Sequence, residues 1–168
     1  MSVRKYRVDS QQPFGEDEWY TILTASHNRV ATLNQLRLRM SLVHGVPSVL
    51  RGEIWTYVSG GLHLSRQFSE EVYEKLKNMS QPREEALIAK DVYRTFPDHE
   101  MFKEREGAGQ LALSRLLKAY ANYDPEVGYC QGMGFIAGLL LMNIPSEALA
   151  FWTFVQVMAE KDWRGIFL

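Results

Sequence analysis

GYCQGMGFIAGLLLM, residues 128–142, places an apolar run of helical length directly behind a glycine-rich loop. From Met133 to Met142 every residue is apolar or glycine. The run falls well short of the ~20 residues that span a bilayer, and it shows no strand-like alternation. It reads as an interior helix, apolar nearly all round over 132–142, and 148–158 (ALAFWTFVQVM) reads the same way. Other helices are marked by periodicity: Phe68, Val72, Leu76 and Met79 recur at helical intervals, as do Leu113, Leu116, Leu117 and Tyr120. Gly45 and Pro47 separate a helix ending near Val43 from one carrying Leu50 to Val58, which Gly60 and Gly61 stop. Asp124 and Pro125 break the chain again, and Ser146 is an N-cap for a helix through Met158. No alternating strand or Asn-Gly hairpin is present. The expected fold class is all-α, with an extended polar arm over residues 1–15 and one helical domain over 16–168.

A chain of 168 residues suits a single domain with a real core. Its 20 acidic and 19 basic residues leave a net charge of −1, so bulk electrostatics favour neither nucleic acid nor an anionic membrane. The amino terminus, MSVRKYRVDSQQ, lacks the apolar segment of a signal peptide. One cysteine excludes an internal disulfide and fits a reducing compartment. These features predict a soluble intracellular protein without a transmembrane segment.

Several chemistries can be weighed on residue types. A nucleophilic Cys130 needs a base in reach, and His27, His44, His63 and His99 are scattered, so a small buried thiol is the better reading. The glycines are no phosphate loop, because no strand precedes them and no Lys-Ser or Lys-Thr follows. Gly132, Gly134 and Gly138 are instead expected to let this segment lie close against other helices. Asp98, His99 and Glu100 are adjacent and point in different directions, so no metal ligand set is expected. Gln131 remains, together with IAKDVYRTFPDHEMF, residues 88–102. There Ile88 and Val92 share one face of a short helix, and Asp91 and Arg94 can pair on its surface. Pro97 lies just beyond, so Arg94 enters a loop. On residues alone, Gln131 is a capping or surface amide and Asp91–Arg94 a structural salt bridge.

Ile88-x-x-Asp91-x-x-Arg94-Thr95-Phe96-Pro97 followed by Tyr129-Cys130-Gln131-Gly132-Met133 resembles the two catalytic motifs of TBC-domain Rab GTPase-activating proteins. Gly45-Val46-Pro47, Arg51-Gly52 and Trp55 resemble that family's amino-terminal signature, so the likeness runs from about 45 to 168. The resemblance implies a GTPase activator, not itself an enzyme, that completes the active site of a GTP-bound Rab-type small GTPase. Arg94 would match the arginine finger and Gln131 the glutamine finger. Asp91 would hold Arg94 in its productive rotamer, and Tyr129 would flank Gln131 as a GTPase contact or a core aromatic. Arg51 and Trp55 would be mainly structural. No cofactor of its own is implied, since GTP and Mg²⁺ belong to the partner. The implied setting is the cytoplasm, peripheral to endomembranes through the GTPase, in vesicle traffic. Family domains continue beyond the position matching Leu168 through a second helical half. Trp163, Ile166, Phe167 and Leu168 are therefore expected to expose apolar surface and to favour self-association. The alternatives are a TBC-like interaction module that binds a small GTPase or effector without activating it, and a Cys130-dependent hydrolase.

Overall fold

A computed structural model describes residues 13–24, 41–80, 82–159 and 164–166. Its helices are α1 (Glu16–Thr24), α2 (Arg51–Val58), α3 (Gly61–Ser65), α4 (Glu70–Asn78), α5 (Pro82–Val92), α6 (Ala108–Tyr123), α7 (Met133–Asn143) and α8 (Glu147–Ala159), with a 3-10 turn at Ser48–Leu50. Residues 41–44 are also helical, and no strand occurs among the described residues. The all-α class therefore holds. The arm expected over 1–15 lies almost wholly outside the described residues.

Two compact units divide the chain within α2, Met1–Ile54 and Trp55–Leu168. In the first, the Phe14 amide donates to Ser41 Oγ at 2.7 Å. The Phe14 ring meets buried Trp19 edge-on at 5.2 Å. Glu16, Asp17 and Glu18 occupy the first turn of α1, where the helix dipole favours negative charge.

The second unit is organised around α6, which touches α4, α5, α7 and α8. Leu113, Leu116, Leu117 and Tyr120 are buried along it, as their spacing predicts. Sequestering each such side chain contributes ~1.5–3 kcal/mol. Ala150 through Val155 of α8 are all buried, so that helix is interior. Helix α7 is interior on one side only. Met133, Ala137, Leu140 and Leu141 face the core, whereas Phe135 and Leu139, four apart, are 48% and 46% exposed. On α4, Val72 and Leu76 pack against the core as expected and Tyr73 is buried beside them, while Phe68 and Met79 fall just beyond the helix ends. Phe68 instead stacks on Trp152 at 4.5 Å.

A polar clasp joins α4, α6 and the start of α8. Arg115 Nε and Nη2 donate to the two carboxylate oxygens of Glu147 at 2.8 and 2.6 Å, and Tyr73 Oη donates to the first at 2.6 Å. Burial alone would raise the Glu147 carboxyl, but the hydrogen bonds from Arg115 and Tyr73 outweigh it and hold the group below the usual carboxylate range. One residue earlier, Ser146 Oγ accepts the Leu149 amide at 3.3 Å, the expected N-cap. Among the described residues, no helix is long and apolar enough to cross a membrane.

Candidate functional site

Past Val92 the chain leaves α5 through a tight turn. The Arg94 amide donates to the Asp91 carbonyl at 3.1 Å and the Thr95 amide to that of Val92 at 3.2 Å. Thr95 Oγ1 also donates to the Asp91 carbonyl, at 2.8 Å. Phe96 sits at φ 48°, a left-handed conformation that costs a non-glycine residue ~1 kcal/mol or more. Its ring is held edge-on to Phe135 at 5.3 Å. The helix thus ends five residues before Pro97, and Arg94 projects from a constrained turn.

The turn rests on α7 because two glycines leave room. A Cβ at Gly134 would stand 2.8 Å from Thr95 Oγ1, and one at Gly138 3.1 Å from Phe96 Cδ2. Close approach was the expected role of all three glycines, and at Gly132 it is corrected. No atom lies within 4 Å of a Cβ built there, but its φ is 102° at the N-cap of α7. Gly132 is needed for backbone conformation, which L side chains rarely adopt.

Asp91 joins the two segments. Its Oδ1 accepts from Arg94 Nη2 at 2.5 Å, and its Oδ2 accepts from Tyr129 Oη at 2.7 Å. The expected surface pair is surface on one side only: the Arg94 side chain is 55% exposed and that of Asp91 11%. Tyr129 is buried in the core. Burial, and then the hydrogen bond to Asp91, push its phenol well above the ordinary tyrosine range, so at neutral pH it stays a proton donor. Its backbone amide donates to Glu84 Oε2 at 3.2 Å. Upstream, Arg164 donates to both oxygens of Asp124 and to Glu126, anchoring the chain that leads into this loop.

Arg94 and Gln131 line one cleft of about 360 Å³ together with Asp91, Thr95, Tyr129, Gly132, Gly134 and Phe135. They also line a neighbouring hollow of about 260 Å³ with Leu87 and Lys90. Both side chains are exposed. A guanidinium and a carboxamide at one cleft suit a group rich in anionic oxygens, since the first donates a planar fork and the second both donates and accepts. Among the described residues, no three His, Cys, Asp or Glu side chains are grouped to hold a metal.

A Rab-GTPase-TBC domain family model matches residues 48–168. The chain belongs to the Rab-GTPase-TBC domain family. It is 40% identical over 152 residues to TBC1 domain family member 10A of Mus musculus, covering 90% of this chain and 30% of the relative. It is 39% identical over 127 residues to the Rab GTPase-activating protein tbc-11 of Caenorhabditis elegans, 75% of this chain and 14% of that one. The ecotropic viral integration site 5 protein homolog of Homo sapiens is 41% identical over 127 residues, 75% of this chain and 15% of that one. The solved flagellar RabGAP TBC domain of Chlamydomonas shares the fold, with a TM-score of 0.68 at 24% identity, over 89% of this chain and 56% of that one. The chain therefore spans less than a third of the length of these curated relatives.

The TBC match begins just after Gly45-Val46-Pro47 and includes Arg51-Gly52 and Trp55. Arg51 lies in the first unit, where its Nε donates to the Val46 carbonyl at 3.1 Å. Trp55, in the second, is partly buried against the core. Cys130 Sγ donates to the Val127 carbonyl at 3.9 Å, and burial followed by nearby Glu84 push the thiol up, the wrong direction for a nucleophile. Ile166 is 72% exposed, whereas Trp163, Phe167 and Leu168 lie outside the described residues. Two contributors to this TBC site escaped the sequence reading. Thr95 back-bonds the turn that bears Arg94, and Glu84 holds the loop that bears Gln131. Glu84 had a faint signal: it stands seven residues before Asp91, on the same face of α5.

Proposed function

We propose that this TBC segment is a GTPase-activating element for a GTP-bound Rab-type small GTPase, supplying Arg94 and Gln131 in trans. The observation that carries this reading is that both side chains, from separate helix–loop junctions, are exposed at one cleft with Asp91 beneath Arg94. A partner's γ-phosphoryl group entering there meets the guanidinium where charge develops in the transition state, an interaction worth ~10³–10⁵ in rate. The Gln131 carbonyl oxygen accepts from the attacking water and orients it. Asp91 keeps Arg94 aimed while remaining bonded to Tyr129. GTP and Mg²⁺ belong to the GTPase. The work is done on the cytoplasmic face of endomembranes, where such a partner would carry the chain. The tbc-11 relative, named as a Rab GTPase-activating protein, supports the reading.

Phosphate release from a panel of GTP-loaded Rab-type GTPases tests it. At least one should be accelerated, and a form of that GTPase with its own catalytic glutamine replaced by leucine should still respond if Gln131 orients the water. Binding without acceleration across the panel would favour the interaction-module reading. Stimulation lost in the leucine form, with binding intact, would return water orientation to the GTPase.

A further inference from the structure

We infer that Glu84 is a positioning residue for Gln131: from the first turn of α5 it grips the Tyr129 amide and so registers the glutamine loop against the helix that leads into the Arg94 turn. This rests on the GTPase-activating reading of Arg94 and Gln131. Helix α5 holds Tyr129 at both ends, Glu84 Oε2 taking its amide at 3.2 Å and Asp91 Oδ2 its phenol at 2.7 Å. Seven residues separate the two carboxylates, about two turns or roughly 10 Å along one face. Asp91 also binds Arg94, so one helix bonds both the arginine and the loop that bears the glutamine.

Tyr129 is thus the residue through which these two hydrogen bonds tie the loop to that helix. Backbone N–H groups on either side of Tyr129 donate at short range: Gly128 N–H to the Asp124 carbonyl, Cys130 N–H to Met133 Sδ, and Met133 N–H to the Cys130 carbonyl. None of these ties the loop to α5. The approach of the Glu84 carboxylate is close enough that a Cβ on Gly128 would lie 3.5 Å from its Oε1. A carboxylate accepting an amide N–H makes one of the stronger protein hydrogen bonds, and the first turn of a helix favours its charge. Displacing a catalytic group by ~1 Å can cost ~10² in rate, so the consequence should fall on turnover before affinity.

The experiment compares Glu84→Ala and Glu84→Gln in the whole chain, using GTP-loaded members of the Rab-type panel that the unaltered chain stimulates. Glu84→Ala should lower the maximal stimulated rate about tenfold with the half-saturating GTPase concentration unchanged. Glu84→Gln should retain most of the rate, because its amide oxygen accepts the same bond. In a Gln131→Ala background, Glu84→Ala should cost almost nothing more, since both changes act through one side chain. An equal loss in both backgrounds, or a changed half-saturation at constant maximal rate, overturns the inference. Hydrogen exchange supplies a readout independent of any GTPase. The Tyr129 amide should exchange about tenfold faster in Glu84→Ala, return in Glu84→Gln, and leave the α6 amides unchanged. Unaltered Tyr129 exchange overturns the grip itself. If no GTPase is stimulated by the unaltered chain, the functional reading fails separately, and exchange alone decides whether Glu84 holds the loop.

Discussion

Gly134 shows how much of the site depends on a missing methyl group. In an exposed helix, Gly→Ala stabilises by ~1 kcal/mol. Here the added carbon would lie 2.8 Å from Thr95 Oγ1, whose bond to the Asp91 carbonyl shapes the Arg94 turn. Gly134→Ala should therefore lower the thermal midpoint, and stimulated GTP hydrolysis should fall further than the lost stability explains. A raised midpoint with normal stimulation would mean the turn yields freely. At this scale the sequence was informative about residue type and silent about depth. Arg94 and Gln131 stand out by their motifs, and the three-residue spacing announces the Asp91–Arg94 pair. That spacing does not say that Asp91 is buried and shared with Tyr129, because the second partner comes from a distant segment. Glu84 was harder still, since its partner is a backbone amide, which every residue but proline owns.

Among the elements, the clasp of Tyr73, Arg115 and Glu147 makes the most direct claim about stability. The Glu147 carboxyl is held below its ordinary range in the folded chain. Its contribution is thus fully present above the ordinary carboxylate range and is lost as pH falls through the lowered folded value. Glu147→Gln should cost about 1–2 kcal/mol at neutral pH, discounted because the Arg115 side chain is 40% exposed. Urea midpoints for the two forms should converge as pH is lowered from about 7 to about 3. A gap that is constant or widens on acidification would contradict the clasp. Helix limits were largely legible because their signals are local, as with the Ser146 cap and the break at Asp124-Pro125. Faces were less so. Val72 and Leu76 pack against the core as their spacing predicts, but the deeper burial of Tyr73, whose ring lies against Phe151, depends on a distant segment.

For the molecule as a whole, the apolar runs and helical spacings were enough for the all-α class, because burying such runs needs helices packed against helices. The open side of α7 was not legible. A row of apolar residues reads as interior whether or not something covers it, and Phe135, which lines the cleft, and Leu139 both stay exposed. The central claim is that Arg94 acts on a partner's transition state, and Arg94→Ala tests it most directly. The substitution leaves buried Asp91 with Tyr129 as its remaining side-chain partner, so a loss of ~1–2 kcal/mol in stability is expected. Stimulated GTP hydrolysis must therefore be measured below the variant's own unfolding midpoint, with its helical circular dichroism intact. Under those conditions stimulation should drop by about a thousandfold or more, and Arg94→Lys should restore little, since an ammonium lacks the planar fork. Binding to the GTPase carrying GDP and aluminium fluoride should weaken far more than binding to its GTP form. A folded Arg94→Ala chain that stimulates at a near-normal rate would contradict the claim and return the Asp91–Arg94 pair to a structural role.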